Sequence, residues 1–403
     1  LTAVWITVQC PSRVPVGKYH QTIKIEGSKH FTIQLDYNVH HTTIPLKSSI
    51  PITVGVENRC MTEGLNDKEA DKERQRWVDF VLSYRMTPVF GTQITPERWQ
   101  YEHSFSPWAW NDKRSIRLLN DRRYSCYMLP FFTLSENELA SLLCNIQKKG
   151  KLKESLFYIW DEPAYMEDYE QIKRKVNIIR KYASDARILT TFFCGPRNGP
   201  RKGDLYAVFD YLKHHIHVAT ISLAPCKGNE EEVQHIRYKV PEGIDWWSYV
   251  CWQPGGNEPN FLLQMKGIQQ RAVMWRTWKN GSQGFLYWNC NIYHKRNPFT
   301  YITDMPHGDG ILIYPGDILG CKGPIASARL ERWRDGAEEM ELLRLVEKNY
   351  SKEKADTLLN IVYSSPLSFI EKAHNIPFFR KELLDQLDKT IPIDYKLRIT
   401  DFI

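Results

Sequence analysis

No stretch of about 18 consecutive apolar residues occurs in the 403-residue chain, so no helical membrane span is expected. Close Cys-x-x-Cys pairs and His-Glu-x-x-His are also missing, and neither a zinc-ribbon nor a zincin-type metal site is expected. No Gly-x-Gly-x-x-Gly opens a helix, which removes the usual dinucleotide-binding cue. Long basic runs are absent too. Lys148–Lys153 is broken by Gly150 and Leu152, and Lys173-Arg-Lys175 is flanked by Ile172 and Val176, the pattern of solvated helix faces. The net charge of +7 is mild for this length. A nucleic-acid partner calls for Lys and Arg gathered on one face and is not expected here. Ser327 and Cys194 have no neighbouring pattern for a nucleophilic triad, and His214, His215 and His217 cluster without metal-ligand spacing.

The chain is rich in aromatic residues, with 13 Trp, 21 Tyr and 17 Phe. Such rings stack on the C–H faces of sugars, and they also fill cores, so composition leaves both uses open. The nine cysteines, several of them in predicted strands (Cys126, Cys251, Cys290), read as buried free thiols. The start at Leu1 rather than Met suits a processed or trimmed product. Two glycosylation triplets, Asn280-Gly-Ser and Asn349-Tyr-Ser, weakly favour a secreted or extracytoplasmic protein; compartment and oligomeric state stay open.

Three segments differ in rhythm. Residues 1–48 carry strand and turn signals: strands are expected at Val4–Val8, Thr22–Ile25 and Phe31–Leu35, with turn chemistry at Pro11–Gly17. This resembles the C-terminal part of a β-sandwich whose remainder would lie upstream. Residues 49–325 alternate short apolar runs with helical patterns. The runs are Ile52–Val56, Pro88–Phe90, Tyr124–Phe132, Leu156–Trp160, Ile188–Phe193, Val218–Leu223, Trp246–Trp252 and Gly284–Asn289. Helices are expected at Ala70–Arg85, Glu136–Lys149, Tyr169–Ala183, Glu230–Tyr238 and Phe261–Trp278. Eight strands with intervening helices predict an α/β fold, a (β/α)8 TIM-like barrel, with a doubly wound open sheet as the alternative. Residues 326–403 form a C-terminal helical extension, led by an amphipathic helix at Ser327–Lys348.

The sharpest chemical feature is Leu156-Phe-Tyr-Ile-Trp-Asp-Glu-Pro163, an apolar strand that runs into two carboxylates and stops at a proline. The C-terminal ends of barrel strands are where barrel active sites lie. An acid pair there suits glycoside hydrolysis, with one group protonating the leaving oxygen, and the charge on Asp161 disfavours ionisation of Glu162. Helix capping is the alternative use of such a pair. Adjacent strand residues point to opposite faces, so both acids can share a pocket only if the strand breaks at this point. Aromatic and amide residues gather on the last two strands, in Asp245-Trp-Trp-Ser-Tyr-Val-Cys-Trp252 and Gln283-Gly-Phe-Leu-Tyr-Trp-Asn-Cys-Asn291. They suit sugar stacking and hydroxyl binding, or barrel packing at alternate positions.

Together these motifs resemble glycoside hydrolase family 123. The resemblance runs from Val4–Val8 and Pro15-Val-Gly-Lys-Tyr19 through Ser83-Tyr-Arg-Met-Thr-Pro88 and Tyr158-Ile-Trp-Asp-Glu-Pro163. It continues through Pro259-Asn-Phe261, Gly284-Phe-Leu-Tyr-Trp288, Gly308-Asp-Gly-Ile-Leu-Ile-Tyr-Pro-Gly316 and Arg329-Leu-Glu-Arg-Trp-Arg-Asp-Gly-Ala-Glu338. It implies an exo-acting β-N-acetylgalactosaminidase with a retaining, substrate-assisted mechanism and no cofactor, acting on a glycan or glycoconjugate. Glu162 would be general acid and base, and Asp161 would orient the substrate acetamide. Tyr249, Tyr287 or Trp288 would wall the acetamide pocket, Trp252 would join the stacking surface, and Asn291 would meet a sugar hydroxyl. Structural roles are expected for Asp309 and Asp335. Asn289-Cys-Asn291 and the basic loop Gly195–Asp204 depart from the family's pattern, which leaves a glycosidase of other sugar specificity or a non-catalytic carbohydrate binder as alternatives.

Overall fold

A computed structural model describes residues 5–11, 14–27, 30–95, 100–293, 297–299 and 305–389. The chain divides into two compact units. One holds residues 1–45, 341–362 and 372–403; the other holds 46–340 and 363–371.

In the first unit, β1 (Gly17–Ile25) and β2 (Phe31–Val39) pair antiparallel from Gly17↔Val39 to Ile25↔Phe31. The cross-strand pair Tyr19 and Tyr37 stacks at 5.5 Å. Beyond β2, Asp388 of the helix Ile376–Asp388 accepts from the Thr42 backbone N–H at 3.1 Å and its hydroxyl at 3.0 Å, and lies 2.9 Å from His40 Nδ1. The expected strand at Val4–Val8 begins outside the described residues, and Trp5–Val8 is exposed with no strand structure. Apolar alternation becomes a strand only where a neighbouring edge completes the ladder, and among the described residues β1 and β2 pair only with each other.

The second unit is a TIM-like barrel. Its strands are β3 (Ile52–Glu57), β4 (Thr87–Thr95), β5 (Gln100–Ser104), β6 (Tyr127–Met128), β7 (Ser155–Trp160), β8 (Arg187–Phe192), β9 (Val218–Ser222), β10 (Asp245–Val250) and β11 (Phe285–Tyr287). Their order is β5-β4-β3-β11-β10-β9-β8-β7-β6, parallel throughout except for the antiparallel β4–β5 hairpin. The seam between β4 and β6 is bridged by other groups. Phe105, just past β5, donates its N–H to Met128 O at 2.7 Å, and the Thr87 and Ser125 hydroxyls meet at 2.7 Å. The doubly wound alternative is thereby set aside. The interior is filled by inward-facing residues from successive strands, Val89, Met128, Leu156, Leu189, Val218, Trp247 and Leu286 among them, as a packed core rather than a pore.

Each predicted run finds a strand, with differences at the edges. The run Tyr124–Phe132 yields only Tyr127–Met128, because Pro130 has no N–H to extend the ladder and Ser125 bonds to Thr87 instead. The hairpin partner β5 and the helix Leu205–Leu212 were not foreseen. That helix starts where the Asp204 carboxylate accepts from the Tyr206 and Ala207 N–H groups. The helix expected from Phe261 begins at Gly267. Ahead of it, Asn260 donates to Cys251 O and Pro254 O at 2.8 Å each, which holds this stretch as a loop. After β11 a short antiparallel pair, β12 (Ile313–Pro315) and β13 (Pro324–Ala326), leads into the helix Ala328–Asn349.

Buried polar pairs fix the outer layer. Arg271 contacts Glu339 at 2.5 Å and Asp335 at 3.1 Å, and Trp275 Nε1 donates to Glu339 at 2.9 Å. Gly55 allows a close approach at the top of the barrel: a Cβ there would lie 1.8 Å from Trp288 O. Four cysteines, Cys10, Cys144, Cys194 and Cys321, are exposed rather than buried, and all nine are free thiols.

Candidate active site

The β7 strand delivers the acid pair through two local irregularities. Tyr158 faces Leu189 and Trp160 faces Thr190, so one extra residue sits between them on β7. Strict alternation from Leu156 and Tyr158 would turn Trp160 inward and Asp161 outward. The bulge reverses this phase. Asp161 therefore lies beside the inward Tyr158, accepting from the Tyr158 hydroxyl at 2.6 Å and the Thr191 hydroxyl at 2.7 Å. Glu162 then adopts φ +42°, a left-handed conformation rare for a residue with a side chain, and the chain turns. Its backbone N–H donates to Thr191 Oγ1 at 2.8 Å. Thr191 thus ties both acids at once, accepting from one backbone and donating to the other carboxylate. The helix begins only at Met166, so the pair does not occupy its N-cap.

Both acids line one cleft of about 740 Å³ at the C-terminal ends of the strands. Tyr249 of β10, expected in the acetamide wall, is not among the described residues lining the cleft and instead donates its hydroxyl to Glu162 Oε1. Burial, and then the charge of Asp161, raise the Glu162 carboxyl above its ordinary value, while the Tyr249 hydroxyl acts in the opposite sense. Burial and neighbouring carboxylates hold Tyr158 and Tyr249 well above the ordinary phenol value, so both remain donors. His103 of β5 stacks on Tyr158 with ring centroids 4.4 Å apart. Burial lowers its pKa to about 4, which keeps the ring neutral at ordinary pH.

A second acid pair, Glu167 and Asp168, lines the same cleft but is committed elsewhere. Asp168 accepts from the Ala164 and Tyr165 N–H groups at 2.8 and 2.9 Å. Glu167 accepts from Asn198 Nδ2 at 3.0 Å, and Asn198 Oδ1 in turn accepts from the Met166 N–H at 2.8 Å. The basic loop Gly195–Asp204 therefore serves as a clamp on the segment that carries the acids, with the Arg197 N–H on Ala164 O at 2.7 Å.

The aromatic wall divides. Tyr287 and Trp288 line the cleft, and their hydroxyl and Nε1 both donate to the buried Asp309, at 2.9 and 3.0 Å. Trp252 lies 49% exposed beyond β10 and is not among the described residues lining the cleft. Asn291 is fully buried: its Oδ1 accepts from the Glu57 N–H at 2.8 Å and its Nδ2 donates to Glu57 O at 3.1 Å. With both amide ends occupied it braces β3 and does not reach the cleft. The sequence reading missed Tyr158, Thr191 and His103. The first two had a signal, since polar side chains at inward positions of buried strands need partners; His103 lies on the unforeseen hairpin. Of the histidine cluster, His217 Nδ1 accepts from the Ile188 N–H at 3.2 Å at the start of β8, the opposite end of the strands from the acids. Among the described residues no group of three or more His, Cys, Asp or Glu could hold a metal ion.

A likeness in fold accompanies this geometry. A family 123 glycoside hydrolase from Clostridium perfringens, described for glycolipid glycan hydrolysis, is similar at TM-score 0.64 and 15% identity, over 94% of this chain and 78% of that one. A β-D-glucuronidase from Dictyoglomus thermophilum shows TM-score 0.40 and 11% identity, over 78% of this chain and 57% of that one. No curated protein matches the sequence. The family model of the glycoside hydrolase 123 catalytic domain, however, matches residues 72–346, which hold the acid pair, the Thr191 tether and the aromatic wall. The chain accordingly belongs to glycoside hydrolase family 123.

Proposed function

We propose that the protein removes terminal β-linked N-acetylgalactosamine by a retaining, substrate-assisted mechanism, with Glu162 as acid and base and Asp161 as the group that orients the acetamide. The reading rests on the placement of the acids. In the two-carboxylate scheme the acid and the nucleophile flank the scissile bond from opposite sides. Here the carboxylates among the described lining residues that do not hold a helix start are consecutive and share one wall, while Glu167 and Asp168 are engaged in holding one. A retaining reaction would then take its nucleophile from elsewhere, and the oxygen of a 2-acetamido group on the substrate would supply one at high effective concentration.

In this mechanism Glu162, whose carboxyl burial raises above its ordinary value, donates its proton to the glycosidic oxygen as the acetamido oxygen attacks the anomeric carbon. Asp161, fixed by Tyr158 and Thr191, accepts the acetamide N–H and stabilises the positive charge of the oxazolinium ring. Glu162, now a carboxylate, removes a proton from the water that opens the ring. Tyr287 and Trp288, their polar ends spent on Asp309, present apolar faces to the acetamide methyl. The glycolipid glycan hydrolysis described for the Clostridium perfringens protein favours a glycoconjugate as the source of the sugar. An N-acetylgalactosamine thiazoline, which mimics the cyclised intermediate, is expected to inhibit competitively at micromolar concentration; no inhibition at millimolar concentration contradicts substrate assistance.

A further inference from the structure

The cleft that holds the acid pair has one cation among its described lining residues, Lys175, two turns into the helix Met166–Arg180. Its surroundings differ from those of three other helical lysines. Lys173, Lys352 and Lys381 each meet a carboxylate three or four positions away. At the corresponding positions around Lys175 the sequence places Gln171, Ile172, Ile178 and Ile179. Among the described residues Lys175 makes no salt bridge and no hydrogen bond. Its Nζ instead lies 5.3 Å from the Phe132 ring centroid and 5.8 Å from that of Trp160. Phe132, Trp160 and Gln171 line the same cleft. Burial lowers its pKa, with no charged group contributing.

A half-buried ammonium without a counter-ion is costly, and two ring faces offset only part of that cost. A ligand anion would supply the missing charge. We propose that Lys175, framed by Phe132 and Trp160, is an anion subsite of the catalytic cleft, receiving a sulfate ester or carboxylate carried by the bound glycan. The proposal rests on the reading of the cleft as a glycan site and extends it to acidic glycans. The bulge that turns Asp161 inward is also what leaves Trp160 outside the barrel interior, beside Lys175, so one irregularity serves both sites. The anion can sit on the terminal sugar or on the next sugar along, and both arms are tested.

Binding is measured by calorimetry on the full chain carrying Glu162→Gln, so that turnover does not intervene. The probes are N-acetylgalactosamine with its 4- and 6-sulfates, and β-N-acetylgalactosaminyl glucose with β-N-acetylgalactosaminyl glucuronic acid. At least one acidic probe is expected to bind about tenfold more tightly than its neutral counterpart, with that ratio shrinking as salt rises. Adding Lys175→Met should bring the ratio close to one, and Lys175→Arg should retain it. A merely structural latch would weaken neutral and acidic probes alike and leave the ratio unmoved. The subsite is overturned if no acidic probe outbinds its neutral counterpart, or if the ratio survives Lys175→Met. If neutral sugars still bind in that case, the glycosidase reading stands. If no probe binds and the parent protein releases no 4-nitrophenol from its β-N-acetylgalactosaminide, both readings fall.

Discussion

Two pairs of neighbouring acids, Asp161-Glu162 and Glu167-Asp168, line one cleft only a few residues apart, and their surroundings differ. The first pair is met chiefly by hydroxyls: Tyr158 and Thr191 on Asp161, Tyr249 on Glu162. Those contacts orient the carboxylates while leaving them turned to the cleft. The second pair is met by backbone N–H groups and an amide that build the start of a helix. Residue type is the same in both pairs. What separates the pair proposed as reactive from the pair that holds a helix start is the identity of its donors and a strand bulge that turns Asp161 inward.

This contrast can be broken from either side. The largest effect is expected for Glu162→Gln, a loss of about 10²–10⁴-fold in kcat on substrates with poor leaving groups, with binding retained. Steady-state kinetics beside a binding assay checks it. Asp161→Asn should cost about 10²–10³-fold in kcat/KM, since the orienting charge is lost, and an unchanged rate would remove its assigned role. Thr191→Val should act on both acids through one change, lowering kcat by about tenfold while the circular dichroism spectrum stays that of the parent.

Smaller effects sharpen the comparison through pH. In its proposed role Glu162 acts protonated, so activity is expected below its raised pKa and should be lost as pH climbs through it. Tyr249→Phe removes the donor that favours the carboxylate, so the alkaline limb of kcat/KM should move to higher pH; movement to lower pH would contradict the assigned bond. The same raised pKa has a consequence for stability. The folded state holds the Glu162 proton more tightly than the unfolded chain, so stability falls as pH rises from the unfolded value through the folded one. Glu162→Gln removes that decline, and its Tm near neutral pH should exceed that of the parent. In the other pair, Asp168→Ala should cost about 1 kcal/mol of stability, read from denaturant unfolding, with far less effect on rate than Glu162→Gln.

Much of this was legible in the chain. Period and turn signals located every parallel strand of the barrel, and Asp161-Glu162 stood out because an apolar strand rarely ends on two charges. The phase of β7 was not legible. Alternation places Asp161 outside, and only the bulge between Tyr158 and Trp160 brings it in. Asn291 misled for a related reason: an amide after a strand suits a sugar hydroxyl or a backbone brace equally well, and the choice depends on how closely Gly55 lets the chain approach β3. Tyr158 and Thr191 were visible only as polar residues in buried strands, since partners distant in sequence define their roles. His103 and β5 were hidden because a hairpin inserted after a barrel strand has no place in the strand–helix rhythm.

The central claim is that the acid pair acts with the substrate's own acetamide. Its most direct test is release of 4-nitrophenol from the β-N-acetylgalactosaminide beside the β-galactoside, which carries a hydroxyl in place of that group. The account predicts turnover of the first, loss of that turnover in Asp161→Asn, and no measurable turnover of the second. Comparable rates on both sugars, insensitive to Asp161→Asn, would contradict it.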